Sequence, residues 1–192
     1  MARLTHDEHA RLAKAAEAVR ARTAAQFELQ IVPVSDRYAL YPVAYGGFAA
    51  LAVGGLLAAV RPLLALDDAF GIEAMVFVAV SVALEWPVLK LLAVPRRLKH
   101  ERARQFAHRA FAARILAARE RKVGMVLFAS LGERYVELVT DDALDRKIGQ
   151  ARWNAIVAAF TQAAKSGPLV DALEQAIAAC GAELATHFPP AA

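Results

Sequence analysis

From Tyr38 to Val60 the chain runs for 23 residues without a charge. At the rise of an α-helix such a run reaches about 35 Å, more than the roughly 30 Å of a bilayer's hydrocarbon core. The segment therefore predicts a transmembrane helix. A second apolar segment, from about Ile72 to Val94, is interrupted by Glu85 and Lys90 and predicts the return span. The turn between them sets Arg61 against Asp67, Asp68 and Glu73, whereas the outer ends carry Arg37 and the cluster Arg96, Arg97, Lys99, Arg102 and Arg104. By the positive-inside tendency, both termini lie in the cytoplasm and the hairpin sits in a bacterial inner membrane, with the lipid bilayer as its first partner.

The remainder of the 192 residues, 1–37 and 95–192, suits one small domain divided by the insertion 38–94. The net charge of +4 resides mainly beside the apolar run, which fits membrane topology and gives no nucleic-acid signature. A single cysteine, Cys180, allows no intramolecular disulfide and fits a reducing compartment. The apolar run begins too late to be the hydrophobic region of an N-terminal signal peptide.

Thr5-His6-Asp7-Glu8 matches a capping box and predicts a helix with Leu12, Ala15, Ala16 and Val19 inward. Gln26 to Val34 alternates as a strand that Pro33 ends or places at an edge. After Pro95 a basic helix runs to about Lys122, with Phe106, Ala110, Phe111, Ile115 and Leu116 on its apolar face. Gly124–Ser130 is apolar throughout, as a strand buried on both faces is, and Tyr135–Val139 returns antiparallel. This pair is expected at the centre of the sheet. Asp141-Asp142 opens a short helix, and amphipathic helices follow over Gln150–Ser166 and after Pro168, the last with Cys180 inward. The fold class is α/β: a small mixed β-sheet flanked by helices and interrupted by a two-helix transmembrane hairpin.

In the first span Gly46, Ala50, Gly54 and Ala58 form a small-residue stripe that lets another helix approach closely. The returning helix is the expected partner, and homo-oligomerisation through the same stripe is the alternative. Glu85 has two readings. A span beginning near Ala74 places it inside the membrane as a functional carboxylate, whereas Trp86, Lys90 and the basic cluster behind it mark an interfacial position.

Several words of sequence resemble the membrane-bound bacterial branch of the TPM domain family. They are Pro33-Val34-Ser35-Asp36-Arg37-Tyr38, then Val94-Pro95-Arg96-Arg97 after the hairpin, then Gly124 to Leu138 with Glu133-Arg134-Tyr135 at its turn. Asp141, Trp153-Asn154-Ala155-Ile156-Val157 and His187-Phe188-Pro189 continue the likeness. The resemblance implies an α/β domain with helices on both faces of a twisted sheet. Relatives are linked to phosphatase activity, divalent-metal binding or the assembly and repair of membrane complexes. The chain departs from the family where an Asp-Arg-Gly word is usual and Asp141-Asp142-Ala143 stands instead. It departs again near Arg119 to Val123, where a threonine and an arginine are usual.

A phosphatase needs a nucleophile or a metal-bound water, with donors for the transferring phosphoryl group. No Gly-rich phosphate loop or Asp-x-Asp pattern is present, Thr186 stands where a cysteine phosphatase would put arginine, and no catalytic residue is assigned. The acidic cluster Asp141, Asp142 and Asp145 is the candidate for a hard divalent cation such as Ca or Mg, with helix capping as the competing reading. Strand directions separate it from Asp36 and Glu133 at the opposite end of the sheet. His6 and His9 have helical spacing amid capping residues. Glu133-Arg134 reads as a turn, with partner docking as a second role. The expectation is a binding, assembly or quality-control module for a membrane-protein partner; the alternative is a weak metal-dependent phosphatase.

Overall fold

The structure, a computed structural model, describes residues 4–61, 65–117 and 123–190. Backbone contacts divide the chain into two units. One is Asp36–Lys99; the other joins the segment ending at Ser35 to the segment beginning at His100. The far end of the basic helix, toward Lys122, and most of the Arg119 to Val123 stretch lie outside the described residues.

The second unit begins with α1 (His6–Arg20), where the Thr5 hydroxyl accepts from Glu8 N and the Glu8 carboxylate accepts from Thr5 N. These reciprocal bonds satisfy two of the free donors at the helix start. Strand β1 (Gln26–Val32) stops before Pro33 and, among the described residues, pairs only with β2 (Gly124–Ser130), in parallel, Gln26 opposite Gly124 and Val32 opposite Ser130. Strand β3 (Tyr135–Thr140) pairs antiparallel with β2, so the sheet order is β1-β2-β3. The centre is thus β2 alone, and β3 is an edge. The expected central pair gives way because β1 takes the remaining flank of β2 and no further strand joins β3 among the described residues.

Every residue of β2 is buried, as its unbroken apolar run requires. On one face Phe27, Met125, Leu127 and Leu138 pack with Leu12 and Ala16 of α1, Trp153 and Phe160 of α7 (Gln150–Ser166) and Leu173, Ile177, Cys180 and Leu184 of α8 (Leu169–His187). On the other, Val126, Phe128 and Val139 meet Ala103, Ala107 and Phe111 of α5 (Arg96–Phe111) and Ile115. That helix face differs from the expected one: its inward residues recur every four positions, and a π-helical turn at Ala112–Leu116 leaves Leu116 outside. Between β3 and α7 lies the short α6 (Asp142–Ile148). Thr23 ties the two ends of the sequence together, its hydroxyl donating to Phe188 O at 2.7 Å.

The Asp36–Lys99 unit holds α2 (Leu40–Val60), α3 (Leu66–Leu84) and α4 (Pro87–Ala93). Here α2 spans about 31 Å and α3 about 28 Å. The expected second span is displaced: α3 starts earlier, with Asp67 and Asp68 favourably in its first turn, includes Glu73, and ends at Leu84 with Glu85 as its C-cap. Pro87 explains the end, because it has no N–H to give Ala83 O and its ring crowds that carbonyl. The chain then bends by 101° into α4. A Cβ on Gly46 would stand 2.9 Å from Phe77 O, and one on Gly54 would collide with the Glu73 carboxylate. Gly46 needs glycine because the α3 backbone approaches it so closely, whereas at Gly54 the Glu73 side chain can swing aside. The glycine half of the small-residue stripe is therefore occupied by the returning helix, and a homo-oligomer formed there has to displace it.

Candidate functional site

The densest buried polar group stands where β2 turns into β3. Leu131 N donates to Val32 O at 3.0 Å and Gly132 N to Pro33 O at 2.8 Å, extending the pairing past the end of β1. Glu133 is thereby placed beside Ser35. Its Oε1 accepts from Ser35 N at 2.9 Å and Ser35 Oγ at 2.8 Å, and its Oε2 accepts from Ser130 Oγ. Glu133 and Ser130 are 5% and 2% exposed, so each donor here is needed to offset desolvation of a carboxylate. With both oxygens engaged, Glu133 acts as a clasp joining segments 98 positions apart in the chain. Arg134 differs: its φ of 51° is left-handed, a conformation costly for a side chain with a Cβ, and its side chain is exposed. The turn is therefore a rigid, buried clasp with one outward cation.

At the other end of the sheet Asp141 caps α6, its carboxylate accepting from Ala143 N at 3.0 Å. Asp145 accepts from Thr140 Oγ1 at 2.6 Å, and Asp142 lies in the first helical turn. Each position is favourable at a helix start. Among the described residues no group of three His, Cys, Asp or Glu side chains is placed to hold a metal ion, Asp141 with Asp142 and Asp145 included.

Glu85 closes α3, and Lys90 Nζ lies 2.5 Å from its carboxylate across the bend. The pair thus spans the break that Pro87 imposes. Cys180 is fully buried, and desolvation pushes its thiol up to about 12, far from the thiolate that nucleophilic chemistry requires. Asp36 belongs to the other unit from Glu133.

A polar cluster not foreseen from sequence joins α5 to β3. Glu137 accepts from Tyr135 Oη at 3.0 Å, with His108 Nε2 at 3.5 Å and Arg104 Nε at 3.8 Å from its other oxygen. The His100 ring lies against Tyr135, centroids 5.3 Å apart. Burial, reinforced by Glu137, raises the Tyr135 phenol, which makes it a poorer acid than usual. Arg104 sets a positive charge near the carboxylate, so this is a polar contact between helix and strand. The spacing His100-Arg104-His108, one side of a helix, is the only sequence signal for it.

Between α7 and α8 runs an open groove of about 330 Å³, floored by Ile156, Phe160 and Ala176, with Arg152 and Glu183 paired at 2.6 Å along it. It presents an apolar surface and no nucleophile with a base beside it.

A family model described as TPM domain matches residues 90–183. The match covers the second part of the chain from within α4 to α8 and leaves out α1, β1, α2 and α3. No curated protein matches the sequence. Among solved structures, the NMR structure of BA42 protein from the psychrophilic bacterium Bizionia argentinensis is similar in fold, with TM-score 0.55 and 11% identity. The alignment covers 97% of this chain and 84% of that one.

Proposed function

We propose that the chain is a two-pass protein of the bacterial inner membrane, with both termini in the cytoplasm, whose TPM-domain unit serves as a binding and assembly or quality-control module for a membrane protein. The observation that carries this reading is where large apolar side chains are exposed. Among the described residues all of them apart from Leu116 fall between Leu40 and Leu92, including Phe48 at 72%, Leu51 at 72%, Phe70 at 71% and Met75 at 72%. A core helix of a soluble protein would hide such residues, whereas a lipid-facing helix exposes them. Of the helices, α2 is long and apolar enough to cross a bilayer alone, and α3 with α4 meets the same measure only as a bent pair. A binding role is favoured over catalysis by the α/β unit, whose buried carboxylate is saturated with donors and whose acidic cluster caps a helix.

The test is a tagged full-length chain in its native membranes. It should resist alkaline carbonate extraction, leave the membrane in detergent, and after in-membrane crosslinking bring down the same membrane protein in repeated preparations. Phosphate release by the same material should not respond to chelator. Extraction by carbonate, or chelator-sensitive release abolished by Asp141→Asn, would overturn the proposal.

A further inference from the structure

Nothing in a continuous span requires the second helix to turn through 101° just before its basic flank, yet this one does. We infer that α4 is an interfacial helix, lying in the plane of the cytoplasmic leaflet with Trp86, Val88, Leu89 and Leu92 in the acyl boundary and Arg96 and Arg97 on anionic headgroups. This rests on the reading that α2 and α3 cross the membrane.

Length supports it first. The helix α3 gives about 28 Å before the bend, most of the roughly 30 Å of hydrocarbon, and its acidic residues Asp67, Asp68 and Glu73 lie in its first half, so the break at Pro87 falls toward the cytoplasmic side of the crossing. A helix at a right angle to a spanning one then runs along the surface. Its composition fits that place: Trp86, Val88, Leu89 and Leu92 are 70%, 50%, 44% and 75% exposed, a density of bare apolar side chains that suits a lipid boundary. Tryptophan is enriched at this depth.

The bend is fastened from three directions. Lys90, with its side chain only 17% exposed, pairs back across the break with Glu85. Tyr45 of α2 donates its hydroxyl to Ala93 O at 3.1 Å, and Lys99 Nζ donates to Leu91 O at 2.8 Å. Two of the last carbonyls of α4 are thereby satisfied, which a free end in a lipid boundary would otherwise leave bare. Tyr45 lies little more than one turn into α2, so the hydrogen bond sets α4 at the level where that helix enters the bilayer. Exposed Arg96 and Arg97 follow at once, and arginines beside a membrane surface are drawn to anionic lipid. The polar hydrogen bonds hold the helix flat; the apolar side chains and the two arginines choose what it lies on.

The test uses the full chain reconstituted in vesicles of phosphatidylcholine with an equal share of phosphatidylglycerol, carrying a nitroxide at Val88→Cys, Leu92→Cys or Leu51→Cys. The buried Cys180 thiol stays unlabelled at neutral pH, as the unsubstituted chain verifies. Depth is read from collision with oxygen against a water-soluble nickel chelate. Positions 88 and 92 share one helix face, so an in-plane α4 puts both labels at one depth near the boundary. A continuing span separates them by about 6 Å and overturns the inference. Labels at 88 and 92 in water, with that at 51 in hydrocarbon, overturn it as well while leaving the hairpin reading standing. A water-exposed label at 51 refutes the hairpin reading itself. Arg96→Glu with Arg97→Glu should move the label at 92 toward water in the anionic vesicles and not in pure phosphatidylcholine; an equal effect in both removes the headgroup contact.

Discussion

Replacing Glu133 by alanine tests how the divided sheet is held together. The side chain accepts from Ser35 N, Ser35 Oγ and Ser130 Oγ, all close to or inside the core. Hydrogen bonds to a charged group contribute about 1.5–3 kcal/mol each, and a buried donor left without its acceptor costs about 1–3 kcal/mol. Water entering the vacated space recovers part of this for the Ser35 groups, less for Ser130 at 2% exposure. The expected loss is therefore about 3 kcal/mol, one well-buried donor and one half-rescued amide. For a domain of this size that lowers the melting temperature by about 10 °C. Circular dichroism of the full chain in mild detergent would read it, with Glu133→Gln losing about half as much because one acceptor oxygen remains. Ser130→Ala should couple to Glu133→Ala in a double-mutant cycle by about 1 kcal/mol or more. A Glu133→Ala chain within about 0.5 kcal/mol of the parent, or a strictly additive cycle, would refute the clasp.

Three further outcomes follow from the packing. Gly46→Val should loosen α2 from α3 at a cost of about 1–3 kcal/mol in detergent melts, because its Cβ stands 2.9 Å from Phe77 O, whereas Gly47→Val, with nothing within 4 Å, should not. Asp141→Ala should cost about 1 kcal/mol as a lost helix cap, and by the same amount with and without chelator; a chelator-dependent difference would restore the cation reading. Cys180 ionises near 9 when unfolded and near 12 when folded, so its contribution to stability is full below pH 9 and is lost as pH rises toward 12. At pH 8 it should react with a thiol reagent only at the rate of unfolding, and fast labelling of the native chain would contradict its burial.

Local patterns carried much of this fold in the sequence. The Thr5–Glu8 box, the alternation from Phe27 to Ile31 and the unbroken apolar run of β2 each report a neighbour within a few residues, and each reads correctly. The bend before α4 is obscured because hydropathy continues through Pro87; the proline was the better guide than the apolar count around it. The apolar face of the basic helix fails to continue to Leu116 because a π-helical turn past the end of α5 shifts the spacing there. The site was the least legible part. Ser35 and Glu133, or Glu137 and His108, meet only after the sheet has formed, and neither member of either pair announces the other.

The parallel pairing of β1 with β2 also sets an order of events during synthesis. Leu29 waits opposite Leu127, so the first strand leaves the ribosome long before the strand that completes it. In between come the two apolar helices α2 and α3. Collapsing that stretch into a hairpin brings the two ends of a 98-residue interval close together, and so reduces the entropy lost when the sheet closes. A chain in which α2 and α3 have not yet paired closes that interval at a greater entropic cost, and until it closes β1 remains an unpaired strand edge.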